Sequence, residues 1–173
     1  MGLLPDAIDP AEIDEAPLRG ELPTAHARRL AEQKARATAA RHADAVVLAA
    51  DTVVAAGRRI LPKAADPAQV RACLGLLAGR RHRVLTAVTV VDANGRIRHR
   101  LSTSIVAFGP LDAATIATYA DSGEGVGKAG GYAIQGAAEA FVRFLSGSHS
   151  GVVGLPLFET RSLLLAAGLR PGG

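Results

Sequence analysis

Apolar and polar positions along this 173-residue chain fall into segments whose periods predict helices and strands. Helical spacing predicts a first helix over residues 24–42, with Thr24 as its N-cap. Asp66-Pro67 predicts the start of a second helix that ends near Gly79, because Asp caps helix N-termini and proline suits the first turn. Further helices are expected at about residues 112–120 and 157–167.

Runs of β-branched and other apolar residues predict the strands. These strands are residues 45–56, 59–61, 83–91, 96–108 and 140–145. Asn94-Gly95 is typical of a hairpin turn between the third and fourth of them. A glycine-rich loop over residues 123–136 contains Tyr132-Ala133-Ile134, which is expected to be a strand. Because strands and helices do not alternate strictly, the predicted fold class is α/β, a mixed β-sheet flanked by helices.

Chain length and composition narrow the class of protein. A chain of 173 residues predicts one domain, residues 1–173, with a sizeable core. Aromatic residues make up 3%, so the core must consist of Ala, Val, Leu and Ile. The net charge of +4 suits an anionic small molecule, whereas scattered arginines and few aromatics argue against a nucleic-acid partner.

The sequence predicts a cytoplasmic protein without a membrane partner. Its longest apolar run, residues 45–56, is interrupted by Asp51 and Thr52 and is too short to span a bilayer. The N-terminal residues lack the basic and apolar regions of a signal peptide. Cys73 is the single cysteine, which fits a reducing compartment, and its helical position predicts a core residue.

Lysine is rare in a chain that otherwise uses arginine for its positive charge. Of 20 basic residues, 17 are Arg, and the lysines are Lys34, Lys63 and Lys128. Lysine is a compact point charge that reaches a phosphate oxygen where a guanidinium does not fit. Lys34 also lies on the apolar face of its helix. Together the three predict a cationic site for a polyanion, while the alternatives are a snorkelling Lys34 and ordinary surface cations at the other two positions.

Acidic residues complete the inventory of a candidate site. Asp51 interrupts an apolar strand, where a carboxylate is costly unless it is paired, hydrogen-bonded or metal-bound. It either caps a turn at the strand end or acts as a metal ligand or as a base that activates water. Asp14 and Glu15 are either a solvated pair or oxygen ligands, since Mg²⁺ is usually held by one or two carboxylates plus substrate phosphates.

Several familiar motifs are excluded by their context. Residues 125–130 match G-x-G-x-x-G, but they follow a helix, whereas the dinucleotide motif follows a strand. The same region is not a Walker A loop, because Ser122 and Ala129 occupy two of its required positions. The serine-rich residues 146–151 do not form G-x-S-x-G, and the five histidines lack zinc-ligand spacing.

Taken in order, several segments of the chain resemble the Maf family of nucleoside triphosphate pyrophosphatases. The matching blocks are Ile13-Asp14-Glu15, Lys34-Ala35, Ala50-Asp51-Thr52-Val53-Val54 and residues 79–88, 128–136 and 152–157. The resemblance implies a hydrolase that cleaves the α–β phosphoanhydride of a nucleoside triphosphate, giving the monophosphate and pyrophosphate. It also implies an elongated mixed sheet with a central nucleotide cleft, often in a homodimer.

The resemblance also implies roles for individual residues, by motif position. Asp51 is implied as the proton acceptor or as a carboxylate ligand of Mg²⁺ or Mn²⁺, and Glu15 as a second ligand of that ion. The implied substrate contacts are Lys34, Lys63 and Lys128 for the phosphates and Thr52 and Gln135 for the base. The Asp-Thr pair resembles the branch of the family that acts on dTTP and UTP.

The start of the sequence differs from the family pattern. The family opens with a strand and a Ser-x-Ser-Pro-Arg-Arg loop, and residues 1–5 here resemble the sequence that follows this loop. We therefore expect the domain to be N-terminally truncated, with Met1 a misassigned or truncated start and a longer native form that carries the loop. The alternative function is a nucleotide-binding regulatory protein, linked to cell division, whose catalysis is impaired without that loop.

Overall fold

A computed structural model describes residues 2–170, and its strands form one open sheet. In this part of the chain the strands are β1 (Val47–Ala56), β2 (Arg59–Leu61), β3 (Arg81–Val91), β4 (Ile97–Phe108) and β5 (Val142–Ser146). Their order across the sheet is β2-β1-β3-β4-β5, and each neighbouring pair is antiparallel. The predicted α/β class, with a sheet flanked by helices, is confirmed, but the described sheet is antiparallel throughout and not mixed as predicted.

Helices pack on both faces of this sheet. Within residues 2–170 they are α1 (Pro23–Ala39), α2 (Pro67–Leu77), α3 (Ala113–Asp121), α4 (His149–Val153) and α5 (Leu157–Ala166), and a 3₁₀ helix (Ala137–Phe141) leads into β5. Asp66 caps α2 as predicted, because its Oδ1 accepts a hydrogen bond from Gln69 N at 2.8 Å. The N-cap predicted at Thr24 is wrong: α1 begins at Pro23, which has no N–H that would need a partner. No helix among the described residues has both the length and the apolar character needed to cross a membrane.

Side chains of β1 alternate between the two faces of the sheet, and this alternation separates two parts of the core. Val53 and Ala55 pack with Ala27 and Ala31 of α1. Val54 instead joins the main cluster on the opposite face, with side chains of α2, α3 and the glycine-rich loop. Because side chains alternate along a strand, consecutive residues of β1 point to opposite faces.

One edge of β1 is only partly covered. β2 pairs with residues 54–56 of β1 and stops there. Among the described strands, none pairs with residues 47–53 on this side, whereas β3 pairs with them on the other side. Both faces of β1 are therefore reachable from this edge at residues 51 and 52.

The segment Tyr132-Ala133-Ile134 is irregular, so the strand predicted there is wrong. Its three side chains are buried, which explains the apolar run. The backbone is held by contacts outside the sheet: Ala133 N donates to the Tyr119 hydroxyl at 3.0 Å, and Gly136 N donates to Ala133 O at 3.1 Å. A short apolar run indicates burial and does not by itself indicate a strand.

Candidate active site

A cleft of about 290 Å³ opens at the partly covered edge of β1. The residues that line it are Lys34, Ala50, Asp51, Thr52, Val54, Lys63, Val84, Gly127, Lys128, Ala129, Tyr132, Ala133, Gln135, Val152, Val153 and Gly154. Six of the seven site residues predicted from the sequence are among them. The seventh, Glu15, contacts two of the lining lysines. The structure thus brings together the seven predicted residues from five separate parts of the chain.

Asp51 lies inside β1, opposite Ala87 of β3, and its side chain is 3% exposed. It does not cap a turn at the strand end, which was one of its two predicted roles. Lys34 reaches it from α1, with Nζ 2.6 Å from Asp51 Oδ1. The buried carboxylate is therefore paired, as the cost of burying a charge requires.

Lys34 also binds Glu15 and so joins the two carboxylates. Its Nζ lies 2.6 Å from Glu15 Oε1, while Glu15 Oε2 contacts Lys63 Nζ. Burial opposes the charge on Lys34, but the hydrogen bonds that it donates to Asp51 and Glu15 outweigh this effect and raise the pKa of Lys34. Partial burial of Glu15 likewise acts against its charge, and the two lysines still hold the pKa of Glu15 below its ordinary value. Lys34 and Glu15 are thus both charged at neutral pH.

Lys63 and Lys128 are held side by side by backbone hydrogen bonds. Lys63 forms an isolated antiparallel bridge with Ala129. Ala64 N donates to Lys128 O at 3.1 Å, and Gly127 N donates to Ala64 O at 2.7 Å. These bonds attach the glycine-rich loop to the segment after β2, which places two cations on one wall of the cleft.

Two glycines let this loop lie close to its surroundings. A Cβ on Gly130, whose φ is +69°, would lie 2.8 Å from Val54 Cγ1 of β1. A Cβ on Gly125 would lie 2.2 Å from Gly131 O, across the loop itself. A larger residue at either position would push the loop, and Lys128 with it, away from the cleft.

Tyr119 and Glu124 anchor the far end of the loop, and sequence reasoning missed both. The Tyr119 hydroxyl donates to Glu124 Oε1 at 3.0 Å, and Glu124 Oε2 accepts from Ala137 N at 3.1 Å. Burial raises the pKa of Tyr119 to about 12, so its hydroxyl remains a donor. The anchor holds the backbone on both sides of Gln135. The available signal was the rarity of tyrosine, of which the chain has two.

Thr52 occupies the face of the sheet opposite to Asp51. Its Oγ1 lies 2.9 Å from Oγ1 of Thr86, its partner residue on β3. Thr86 in turn donates to the carbonyl oxygen of Gly151 in α4 at 2.7 Å. The sequence analysis did not single out Thr86. A lone hydroxyl between Leu85 and Ala87 was its only signal.

The carboxylates of the cleft suit a divalent cation. Within residues 2–170 there is no group of three or more His, Cys, Asp and Glu side chains that could hold a metal by itself. Asp51 and Glu15, however, each place a carboxylate oxygen 2.6 Å from one positive charge, that of Lys34 Nζ. One or two carboxylates together with substrate phosphates is the usual ligand set of Mg²⁺, so this pair fits such an ion.

The fold and the cleft define an α/β protein in which three lysines and two carboxylates meet at the edge of a β-strand. Residues 1–167 match the family model described as Maf-like protein. The chain therefore belongs to the Maf family, as its sequence motifs suggested.

Similar proteins carry one name. A dTTP/UTP pyrophosphatase of Rhodospirillum rubrum is 59% identical over 172 residues, which are 99% of this chain and 82% of that protein. One of Sphingopyxis alaskensis is 60% identical over 99% of this chain and 90% of its own length. Another, of Paramagnetospirillum magneticum, is 57% identical, with coverage of 99% and 90%.

Proposed function

We propose that this protein hydrolyses dTTP and UTP to the monophosphate and pyrophosphate. The observation that carries the proposal is the joining of Asp51, Lys34 and Glu15 in one cleft with Thr52 and Gln135. The name shared by relatives that are 57–60% identical over nearly the whole chain supports the same substrates.

In this proposal Asp51 is the general base. It takes a proton from a water molecule whose oxygen forms a bond to the α-phosphorus. The bond from that phosphorus to the oxygen that bridges to the β-phosphorus breaks, and pyrophosphate leaves with the electron pair. A buried carboxylate held in place by Lys34 is suited to this role because its orientation is fixed before substrate arrives.

The lysines bind the phosphates. Lys34 and Lys63 are neutralised by carboxylates in the free cleft, whereas Lys128 projects from an exposed part of the loop. When a triphosphate enters, its phosphate oxygens replace the carboxylate of Glu15 as partners of these ammonium groups. Positive charge fixed around the phosphates stabilises the charge that develops on the leaving pyrophosphate.

Asp51 and Glu15 would hold the divalent cation, Mg²⁺ or Mn²⁺. When bound, such an ion neutralises phosphate charge and polarises the P–O bond that breaks. Lys34 lies between the two carboxylates and must share them with the ion. Thr52 and Gln135 are the proposed contacts to the base.

We further propose a cytoplasmic location and a homodimer. The buried free thiol of Cys73, whose pKa is raised by burial, suits a reducing compartment. The homodimer rests on the resemblance to the family. Cell fractionation tests the location. Light scattering on the protein as it elutes from a size-exclusion column tests the oligomeric state.

Pyrophosphate release from a panel of nucleoside triphosphates tests the function. The panel is dTTP, UTP, CTP, ATP and GTP, each measured with Mg²⁺ and with Mn²⁺. We expect release from dTTP and UTP well above that from the other three. Tight binding of these nucleotides by calorimetry without release from any of them would refute the enzyme and favour a nucleotide-binding regulatory protein.

A further inference from the structure

Two threonine hydroxyls and a carbonyl group form a chain of hydrogen bonds that ends at the cleft. Thr52 lines the cleft, and its Oγ1 is 2.9 Å from Oγ1 of Thr86. Thr86 is 1% exposed, and its Oγ1 is 2.7 Å from the carbonyl oxygen of Gly151. The chain thus runs along one face of the sheet, from the surface of the cleft to α4.

The direction of every hydrogen bond in this chain is fixed by its last member. A carbonyl oxygen carries no proton, so Thr86 must donate its only hydroxyl proton to Gly151. The proton between the two threonines must then come from Thr52. Because a threonine hydroxyl has one proton and two lone pairs, Thr52 has only lone pairs left to offer a ligand.

The packing around Gly151 prevents the chain from reversing. Gly151 is buried, and its own N–H donates to Ser148 Oγ at 2.9 Å. Its carbonyl oxygen also accepts a hydrogen bond from Gly154 N at 3.2 Å, and this second bond holds the carbonyl group in place. Thr86 is too buried to take a water molecule as an alternative partner. The polarity at Thr52 is therefore a fixed property of the fold.

We propose that Thr86 is a positioning residue for base selection, which makes Thr52 an obligatory hydrogen-bond acceptor that selects an N–H donor on the base. This inference rests on the proposed function. Uracil and thymine carry a proton at N3, which Thr52 accepts. Cytosine has an unprotonated N3, whose lone pair would face the lone pairs of Thr52. An unmatched polar contact of this kind discriminates strongly in a buried site.

The ratio of kcat/KM for UTP to that for CTP measures this selection. Thr86→Val keeps the shape of the side chain but removes the acceptor, so the Thr52 hydroxyl can turn and donate. We expect the ratio to fall about tenfold, the effect of one neutral hydrogen bond. Thr86→Ser retains the hydroxyl and should keep the ratio of the unmodified protein. In a Thr52→Val background, Thr86→Val should not change the ratio further.

The outcomes separate this inference from a merely structural role. An unchanged ratio in Thr86→Val, or equal losses on UTP and CTP, would overturn it. If the unmodified protein releases no pyrophosphate, the proposed function fails, and the same ratio is then taken from calorimetric affinities for UTP and CTP.

A second measurement needs no variant. N3-methyluridine triphosphate lacks the N3 proton, whereas 5-methyluridine triphosphate carries its methyl group elsewhere on the ring and keeps that proton. With the unmodified protein we expect the N3-methyl compound to be at least about tenfold poorer than the 5-methyl compound. Equal use of the two compounds would overturn the inference, even if Thr86→Val does not fold.

Discussion

Lys34 is the residue that forms ion pairs with both carboxylates of the cleft. It binds both Asp51 and Glu15, and its side chain is 17% exposed. The helix α1 buries its alanine-rich face on the sheet, and this packing brings the ammonium group to a strand that carries no lysine of its own. Its position is therefore set by packing, while the two acids stabilise its charge against the effect of burial.

At the same scale, we expect Asp51→Asn to lower kcat at least about 100-fold, the usual effect of losing a general base. The asparagine keeps the size of the side chain but accepts no proton. Asp14→Asn is the matched control, because Asp14 accepts a hydrogen bond from Ala16 N and none from the lysines. The rate of pyrophosphate release gives kcat for both variants. A rate for Asp51→Asn near that of the unmodified enzyme would show that Asp51 is structural.

Lys128→Arg should lower kcat/KM about tenfold, although the charge is retained. The backbone fixes Lys128 on the cleft wall, so the longer, planar guanidinium cannot place its charge at the same point. Arg58→Lys, at an exposed turn outside the cleft, is the control and should have no effect. Wild-type kinetics for Lys128→Arg would mean that any cation suffices there.

At the scale of elements, the glycine-rich loop holds side chains of the cleft in fixed positions, a task that helices and strands perform elsewhere in the fold. It is held by hydrogen bonds to the segment after β2, by the Tyr119–Glu124 anchor and by its own tight packing at Gly125. Its position therefore depends on close approach of backbone to backbone. This is why small changes in the loop should be felt both in stability and in activity.

Gly125→Ala should destabilise the protein by about 1–3 kcal/mol, because the added Cβ would overlap the Gly131 carbonyl. Activity should fall as well, since Lys128 N donates to Gly125 O. Gly75→Ala is the opposite case: it adds a Cβ in open space on α2 and should stabilise by about 0.5–1 kcal/mol. Urea unfolding compares the two. Equal effects would contradict the packing of the loop.

Elements with strong local signals were predictable from the sequence. Asp66 caps α2, which begins at Pro67 as predicted and ends two residues before Gly79, and the predicted bounds of β2, residues 59–61, are confirmed. The helix α4 was missed because its five residues, which include Gly151, have no helical period to detect. Pairs such as Thr52–Thr86 and Tyr119–Glu124 depend on strand register and loop packing, which no local pattern contains.

For the whole molecule, side chains of β1 alternate between the two faces of the sheet, and this alternation divides the cleft into two halves. Asp51 points toward α1 and its lysine, and Thr52 points toward α4. Because β2 ends before these residues, one opening at the edge of the sheet reaches both faces. The proposed phosphate chemistry and the proposed base selection therefore come from adjacent residues of one strand.

The stability of the whole molecule should depend on pH through His82. Burial lowers the pKa of His82 to about 4, from an ordinary value of 6.5. Its Nε2 lies 2.8 Å from the Tyr132 hydroxyl, and within residues 2–170 no group pairs with its Nδ1. Protonation would place a charge and an unpaired N–H inside the aromatic cluster with Phe108.

The sign of the effect follows from proton binding. Between pH 6.5 and pH 4 the unfolded chain binds a proton at His82 and the folded protein does not, so the free energy of unfolding falls as pH falls through this window. The full loss is about 3 kcal/mol. Urea unfolding at a series of pH values measures it. His82→Gln should flatten the curve between pH 6.5 and 4, while His99→Gln, at an exposed site on β4, should not. A curve for His82→Gln as steep as that of the unmodified protein would mean that other groups cause the dependence.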